Sequence, residues 1–88
     1  MEELPFDEEW ISDNESIRTF KSGLFDEELK WHYDNEDRII KPIDENDWKF
    51  QFDNNLPQKI TGEILIKKGE WHRLIKGSND LKLSIKRI

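Results

Sequence analysis

The sequence contains no cysteine, only four glycines, three prolines and two histidines in 88 residues, and no long apolar run. Without cysteine there is neither a disulfide framework nor a thiolate site, so any bound metal must rest on histidine and carboxylate donors. Scarce glycine leaves no Gly-rich phosphate loop and no Walker pattern. The serines, Ser12, Ser16, Ser22, Ser78 and Ser84, have no histidine beside them in sequence, and no nucleophile constellation is visible. The acidic stretch Met1-Glu2-Glu3-Leu4-Pro5-Phe6-Asp7-Glu8-Glu9 has no apolar region of the kind a signal peptide carries, and no segment is apolar for long enough to cross a bilayer. A cytoplasmic protein without a membrane partner is expected. Positive charge is also in deficit, with a formal net charge of -6. That opposes binding to a phosphate backbone, so nucleic acid is not an expected partner.

Eighty-eight residues suffice for one small domain. Only 34% of them are hydrophobic, but these include four Trp and five Phe, each of which buries a large area. The apolar residues are also patterned, as a folded chain requires and a disordered one does not. Charge is unevenly spread: residues 1–37 sum to -10 and residues 38–88 to +4. Such a split can draw one end of the chain onto the other, or onto a second subunit; more often it is only a solvated surface.

Residues 1–15 read as an acidic arm that docks through Leu4, Phe6, Trp10 and Ile11, with a short helical turn after Pro5 allowed by the proline and the acids that follow it. From Ser16 the pattern is that of strands. The expected runs are Ser16 to Lys21, Glu28 to Tyr33, Arg38 to Ile43 and Trp48 to Asp53, then Lys59 to Thr61, Glu63 to Lys67, Glu70 to Lys76 and Asp80 to Arg87. Turn signals recur about every 8–12 residues, and no helical periodicity follows residue 15, which predicts an all-β sandwich or barrel over residues 16–88.

Both histidines stand in alternating runs, each directly after a tryptophan: Trp31-His32-Tyr33-Asp34 and Trp71-His72-Arg73-Leu74. In extended chain, alternate side chains share a face. The two imidazoles and the Asp34 carboxylate are therefore expected to converge inside the sheet. Two histidines and a carboxylate with open positions suit Fe(II), and the same donors hold Mn, Ni or Zn. The competing reading has the histidines as wall residues hydrogen-bonded to Asp34, Glu36 or Lys76. A rival ligand site uses Arg38, Arg73 and Lys76, whose cations can hold a carboxylate or phosphate. Against it, Arg38 can pair with Asp34 or Glu36 and order the turn. Gln51 is placed equally well toward the cavity or the surface. Trp31, Trp48 and Trp71 are expected in the core or at a homodimer interface.

The His32-x-Asp34 element, followed by the Gly62 to His72 stretch, resembles the two motifs of the cupin superfamily, whose members are small jelly-roll barrels. On that pattern His32 matches the first ligand of motif one, Asp34 stands where its second histidine falls, and His72 matches the ligand of motif two. Arg38 or Ile39 occupies the position of the usual glutamate, unless Glu36 replaces it from the turn, and Lys67 replaces the proline of motif two. The resemblance covers residues 16–88, and its closest phrases look like very short cupin-like proteins of bacteria and their phages. It implies a minimal cupin-like barrel with one divalent metal on His32, Asp34 and His72, and a small-molecule ligand near Glu36, Arg38, Gln51, Arg73 and Lys76. The alternative is a metal-free module, such as a phage-type accessory protein, that binds a small anion or a host protein.

Overall fold

Alternation decides the architecture most plainly in the last strand, where Leu81, Leu83 and Ile85 are buried and Lys82 and Lys86 are exposed, so one face of the strand belongs to a core. The computed structural model describes residues 6–23 and 29–88, and all regular elements among these are strands: β1 (Asp7–Trp10), β2 (Glu15–Phe20), β3 (Arg38–Pro42), β4 (Lys49–Phe52), β5 (Gln58–Lys59), β6 (Ile64–Ile66), β7 (His72–Ile75) and β8 (Leu81–Arg87). They form a five-stranded sheet in the order β1-β2-β8-β3-β6 and a three-stranded sheet in the order β5-β4-β7, with every pairing antiparallel. Among the described residues no ladder joins the two sheets, so the expected barrel is open along its edges.

The core lies between the sheets. Phe20, Ile40, Ile66, Leu81, Leu83 and Ile85 come from the larger sheet, and Phe50 from the smaller one, with Trp48 just before it. Trp48 and Phe50 are each 1% exposed. Trp48 Nε1 donates to the Asn79 carbonyl, which satisfies the one polar atom its burial would otherwise strand.

Two expectations are corrected. The acidic arm has no helical turn at its described part; Asp7–Trp10 is a strand on the edge of the larger sheet, in register with Ser16 to Thr19. The cause is Glu8. Its Oε2 accepts from Ser16 Oγ (2.8 Å), Arg18 Nε (2.6 Å) and an Arg87 terminal nitrogen (3.2 Å), and only an extended arm beside β2 brings it within reach of all three. Phe6 meets Phe20 with ring centroids 5.4 Å apart, whereas Trp10 and Ile11 remain more than half exposed; Leu4 lies outside the described residues. The second correction concerns Glu28 to Tyr33. Glu28 is outside the described residues, and Leu29 to Tyr33 forms no strand, only an isolated antiparallel bridge of His32 with His72.

Arg38 and Arg87 stand opposite each other in the β3–β8 ladder, a repulsive pair by itself. Glu36 Oε1 relieves it, 2.9 Å from Arg38 and 3.7 Å from Arg87. Together with Glu8 this makes a chain of alternating charges from β1 to the site described below. Burial raises the Glu8 carboxyl, but the bonds from Arg18 and Ser16 outweigh that and hold it below its ordinary 4.5. Its contribution to stability is therefore present above about pH 4.5 and lost as pH falls through the lower folded value. Acid titration should loosen β1, read as a change in Trp10 emission because Arg87 lies 4.2 Å over that ring. Glu8→Gln should flatten the acid transition; an unchanged profile would remove Glu8 as its cause.

Gly77 sets a tight approach between segments. A Cβ there would lie 2.8 Å from the Asp47 carbonyl carbon and 2.7 Å from Trp48 Cδ1, closer than packed atoms allow. Gly77→Ala is expected to cost roughly 1–3 kcal/mol, the usual penalty of overpacking, and to lower the midpoint of thermal unfolding by several degrees. Calorimetry that gives an unchanged midpoint would show that the 47–48 backbone yields freely.

Candidate metal centre

The Trp-His repeats place the histidines as alternation requires, although only one of the two runs is a strand. His32 and His72 exchange both backbone hydrogen bonds, at 3.0 and 2.9 Å, which brings their rings edge to face with centroids 4.3 Å apart. Trp31, Tyr33 and Trp71 point the other way and stay 38–51% exposed. Asp34 follows two residues after His32, and its carbonyl accepts from Gly69 N at 2.9 Å. Gly69 has φ of 82°, a conformation glycine adopts without strain. The turn it makes holds the Asp34 backbone beside the start of β7.

One donor atom from each of His32, Asp34 and His72 lies within 4.8 Å of the other two. The ring orientations are fixed from behind. His32 Nδ1 faces the Lys30 carbonyl at 3.1 Å and His72 Nδ1 the Glu70 carbonyl at 2.8 Å. A carbonyl only accepts, so both Nδ1 atoms carry the proton and both Nε2 lone pairs are left available. Such backbone anchoring of the far ring nitrogen is what orients metal-ligating histidines. His72 is 4% exposed and lies flat against Phe50, with centroids 5.4 Å apart and the planes inclined at 18°. Burial holds the His72 imidazole below its ordinary 6.5, outweighing the Glu70 bond.

The Asp34 carboxylate is divided. Oδ1 receives an Arg38 terminal nitrogen at 3.1 Å. Oδ2 is buried and has no hydrogen-bond partner among the described residues; His72 Nε2 lies 3.5 Å from it. That separation exceeds a good hydrogen bond, and a neutral His72 with its proton on Nδ1 has no proton to offer there. Two acceptor nitrogens and an orphaned carboxylate oxygen therefore face one another, the donor types that a borderline divalent metal takes. The residues fit a divalent cation.

The triad opens on a cavity of about 380 Å³ between the sheets, within the range of small-molecule sites. Its apolar wall includes Phe20, Ile40, Phe50, Leu74, Leu83 and Ile85, and its polar lining among the described residues is His32, Asp34, His72, Arg18, Lys30 and Arg38. Arg38 is at the cavity, but its Nε and one terminal nitrogen are on Glu36, at 3.1 and 2.9 Å, and its other terminal nitrogen is on Asp34. Glu36 is thus bound to arginines and does not join the triad. Gln51 and Arg73 bond to each other at 2.9 Å, with the Arg73 guanidinium 4.8 Å over Trp31; neither lines the cavity, and neither does Lys76. Sequence reasoning passed over Arg18. The signal was present in β2, where Ser16, Arg18 and Phe20 share the face that carries the core.

The sequence matches no protein-family model and no curated protein. Solved structures do match the fold. The chain superposes on a cupin domain from Bordetella pertussis with a TM-score of 0.61 at 13% identity, covering 100% of this chain and 98% of that one. A cupin-2 domain containing protein from Shewanella frigidimarina gives 0.61 at 15% identity over 97% and 80%. The DMSP lyase DddQ from Ruegeria pomeroyi gives 0.68 at 15% identity over 88% of this chain but only 40% of that one, so this chain spans less than half the length of the lyase. The protein has a cupin-like fold, all-β and antiparallel.

Proposed function

We propose that this protein binds one divalent metal on His32, Asp34 and His72 and uses it to hold or transform a small molecule in the adjoining cavity. The observation that carries the reading is the buried, unpartnered Asp34 Oδ2 set against two imidazoles whose Nδ1 protons are already committed to backbone carbonyls. A bare hydrogen-bonded wall would have satisfied that oxygen; leaving it orphaned costs about 1–3 kcal/mol or more without a cation. When bound, the metal supplies a Lewis-acidic centre with open positions. The chain does the rest: Arg38 fixes the carboxylate through Oδ1, Phe50 backs the His72 ring, and the apolar wall offers a ligand a surface to pack against. The cupin-like neighbours support the fold in which this site is set.

A metal-free anion site on Arg38 is the weaker alternative, because Arg38 would have to release both Asp34 and Glu36 to receive a ligand. Elemental analysis of protein purified without a polyhistidine tag tests the proposal. About one equivalent of Fe, Mn, Ni or Zn is expected, and wild-type protein that stays metal-free after incubation with each overturns it.

We also propose a homodimer, in which a second copy covers Trp31, Tyr33 and Trp71. These aromatics are exposed side by side, with Tyr33 and Trp71 in an edge-to-face pair at 4.9 Å, and exposed apolar patches of this kind mark contact surfaces. Light scattering at tens of micromolar should give twice the chain mass, and a monomer mass removes the dimer.

A further inference from the structure

The polar groups of the cavity are unequal in sign. Among the described residues Arg18, Lys30 and Arg38 line it with Asp34 as the one carboxylate, while Glu8 and Glu36, the partners of Arg18 and Arg38, stand behind them and do not reach the lining. Arg38 has its fork filled. Arg18 does not: only its Nε is engaged, by Glu8 at 2.6 Å, and its two terminal nitrogens have no hydrogen-bond partner among the described residues. The guanidinium is nevertheless held in place, with 15% of its side chain exposed and its plane carbon 4.0 Å over the Phe6 ring. Across the β2–β8 ladder it pairs with Leu83, and both residues line the cavity.

Resting on the small-molecule reading above, we infer that the ligand is a monocarboxylate with an apolar body, its carboxylate gripped by the two terminal nitrogens of Arg18 and its body laid against Phe20, Leu83 and Ile85. A planar fork suits a carboxylate in two-point contact, and a position fixed by Glu8 and Phe6 loses little freedom on binding. Lys30, exposed at the rim, adds attraction for an entering anion. A compact dianion such as phosphate would gain the charge but leave the apolar wall unfilled, and a neutral ligand would leave the terminal nitrogens of Arg18 without a charged acceptor.

Titration calorimetry of the full chain, once loaded with Zn(II) and once treated with EDTA, tests this with four probes: phenylacetate, hexanoate, phenylacetamide and inorganic phosphate. Either carboxylate should bind at least about ten-fold more tightly than the amide or phosphate, because the acid alone makes a charged hydrogen bond and fills the wall. Arg18→Lys, which keeps the charge that Glu8 requires but loses the fork, should weaken the carboxylates about ten-fold and leave the amide unmoved. Lys30→Gln should slow association and shift affinity less. Equal binding of acid and amide, equal binding of phosphate, or no binding of either carboxylate to the loaded protein overturns the inference, and none of these depends on a variant folding. Carboxylate binding by protein that takes up no metal refutes the metal site and leaves Arg18 as the anchor; metal uptake without discrimination does the reverse.

Discussion

Addition of Mn, Fe(II), Ni or Zn to the metal-free protein should raise its thermal midpoint, and His72→Ala should abolish that rise. Binding to the folded state alone stabilises by mass action, about 2.7 kcal/mol when the free metal is a hundred times its dissociation constant. In a domain of this size that is a rise on the order of 10–20 °C. His72→Ala removes one Nε2 donor and leaves His32 and Asp34, too few to hold the ion in competition with water. Arg38→Ala keeps all three donors and releases only Oδ1 of Asp34. It should therefore retain the response with about 10- to 100-fold weaker affinity, the usual effect of losing a group that orients a ligand. Protons compete with metal for imidazole, so the rise should shrink as pH is lowered. Burial holds His72 below 6.5, which makes it a neutral donor at pH 6.5 and above and moves its competition with protons to more acidic solution. A flat response to all four metals in the wild type would mean that Asp34 Oδ2 is simply left unpaired.

The fold was legible in sequence wherever one face of a strand is buried. Trp48, Phe50 and Phe52, and Leu81, Leu83 and Ile85, announce their strands because the pleat puts them together on the core side. Alternation also brought the histidines together, and this survived the loss of the strand itself: residues 29–33 keep extended side-chain directions through a single bridge. What the sequence did not show was partnership among charges. Arg38, Gln51 and Arg73 all have the chemistry to meet an anion, but Arg38 is taken by Asp34 and Glu36, and Gln51 and Arg73 by each other. Those pairings depend on turn geometry and on strands far apart in the chain. Arg18 was missed for the same reason: its inward direction follows from the period of β2, but the glutamate behind it comes from a segment whose composition suits a surface helix equally well.

Phe50 ties the core to the site, and Phe50→Ala should damage both stability and metal binding. The ring is 1% exposed, meets Phe52 edge to face at 4.8 Å and lies against His72. Truncating a buried phenylalanine costs about 3–5 kcal/mol, against a total stability of about 5–15 kcal/mol for a domain. A fall in the thermal midpoint of at least about 12 °C is expected, and the apo variant should be partly unfolded at physiological temperature. Phe50→Leu separates packing from support of the site. Leucine refills much of the volume and the fold should persist, but it presents no flat face to the imidazole, so the His72 ring gains freedom that metal binding must then remove. Metal affinity should fall several-fold while circular dichroism stays unchanged. Wild-type affinity in Phe50→Leu would show that the Glu70 carbonyl alone fixes the ring, and that the stacking seen here serves only the core.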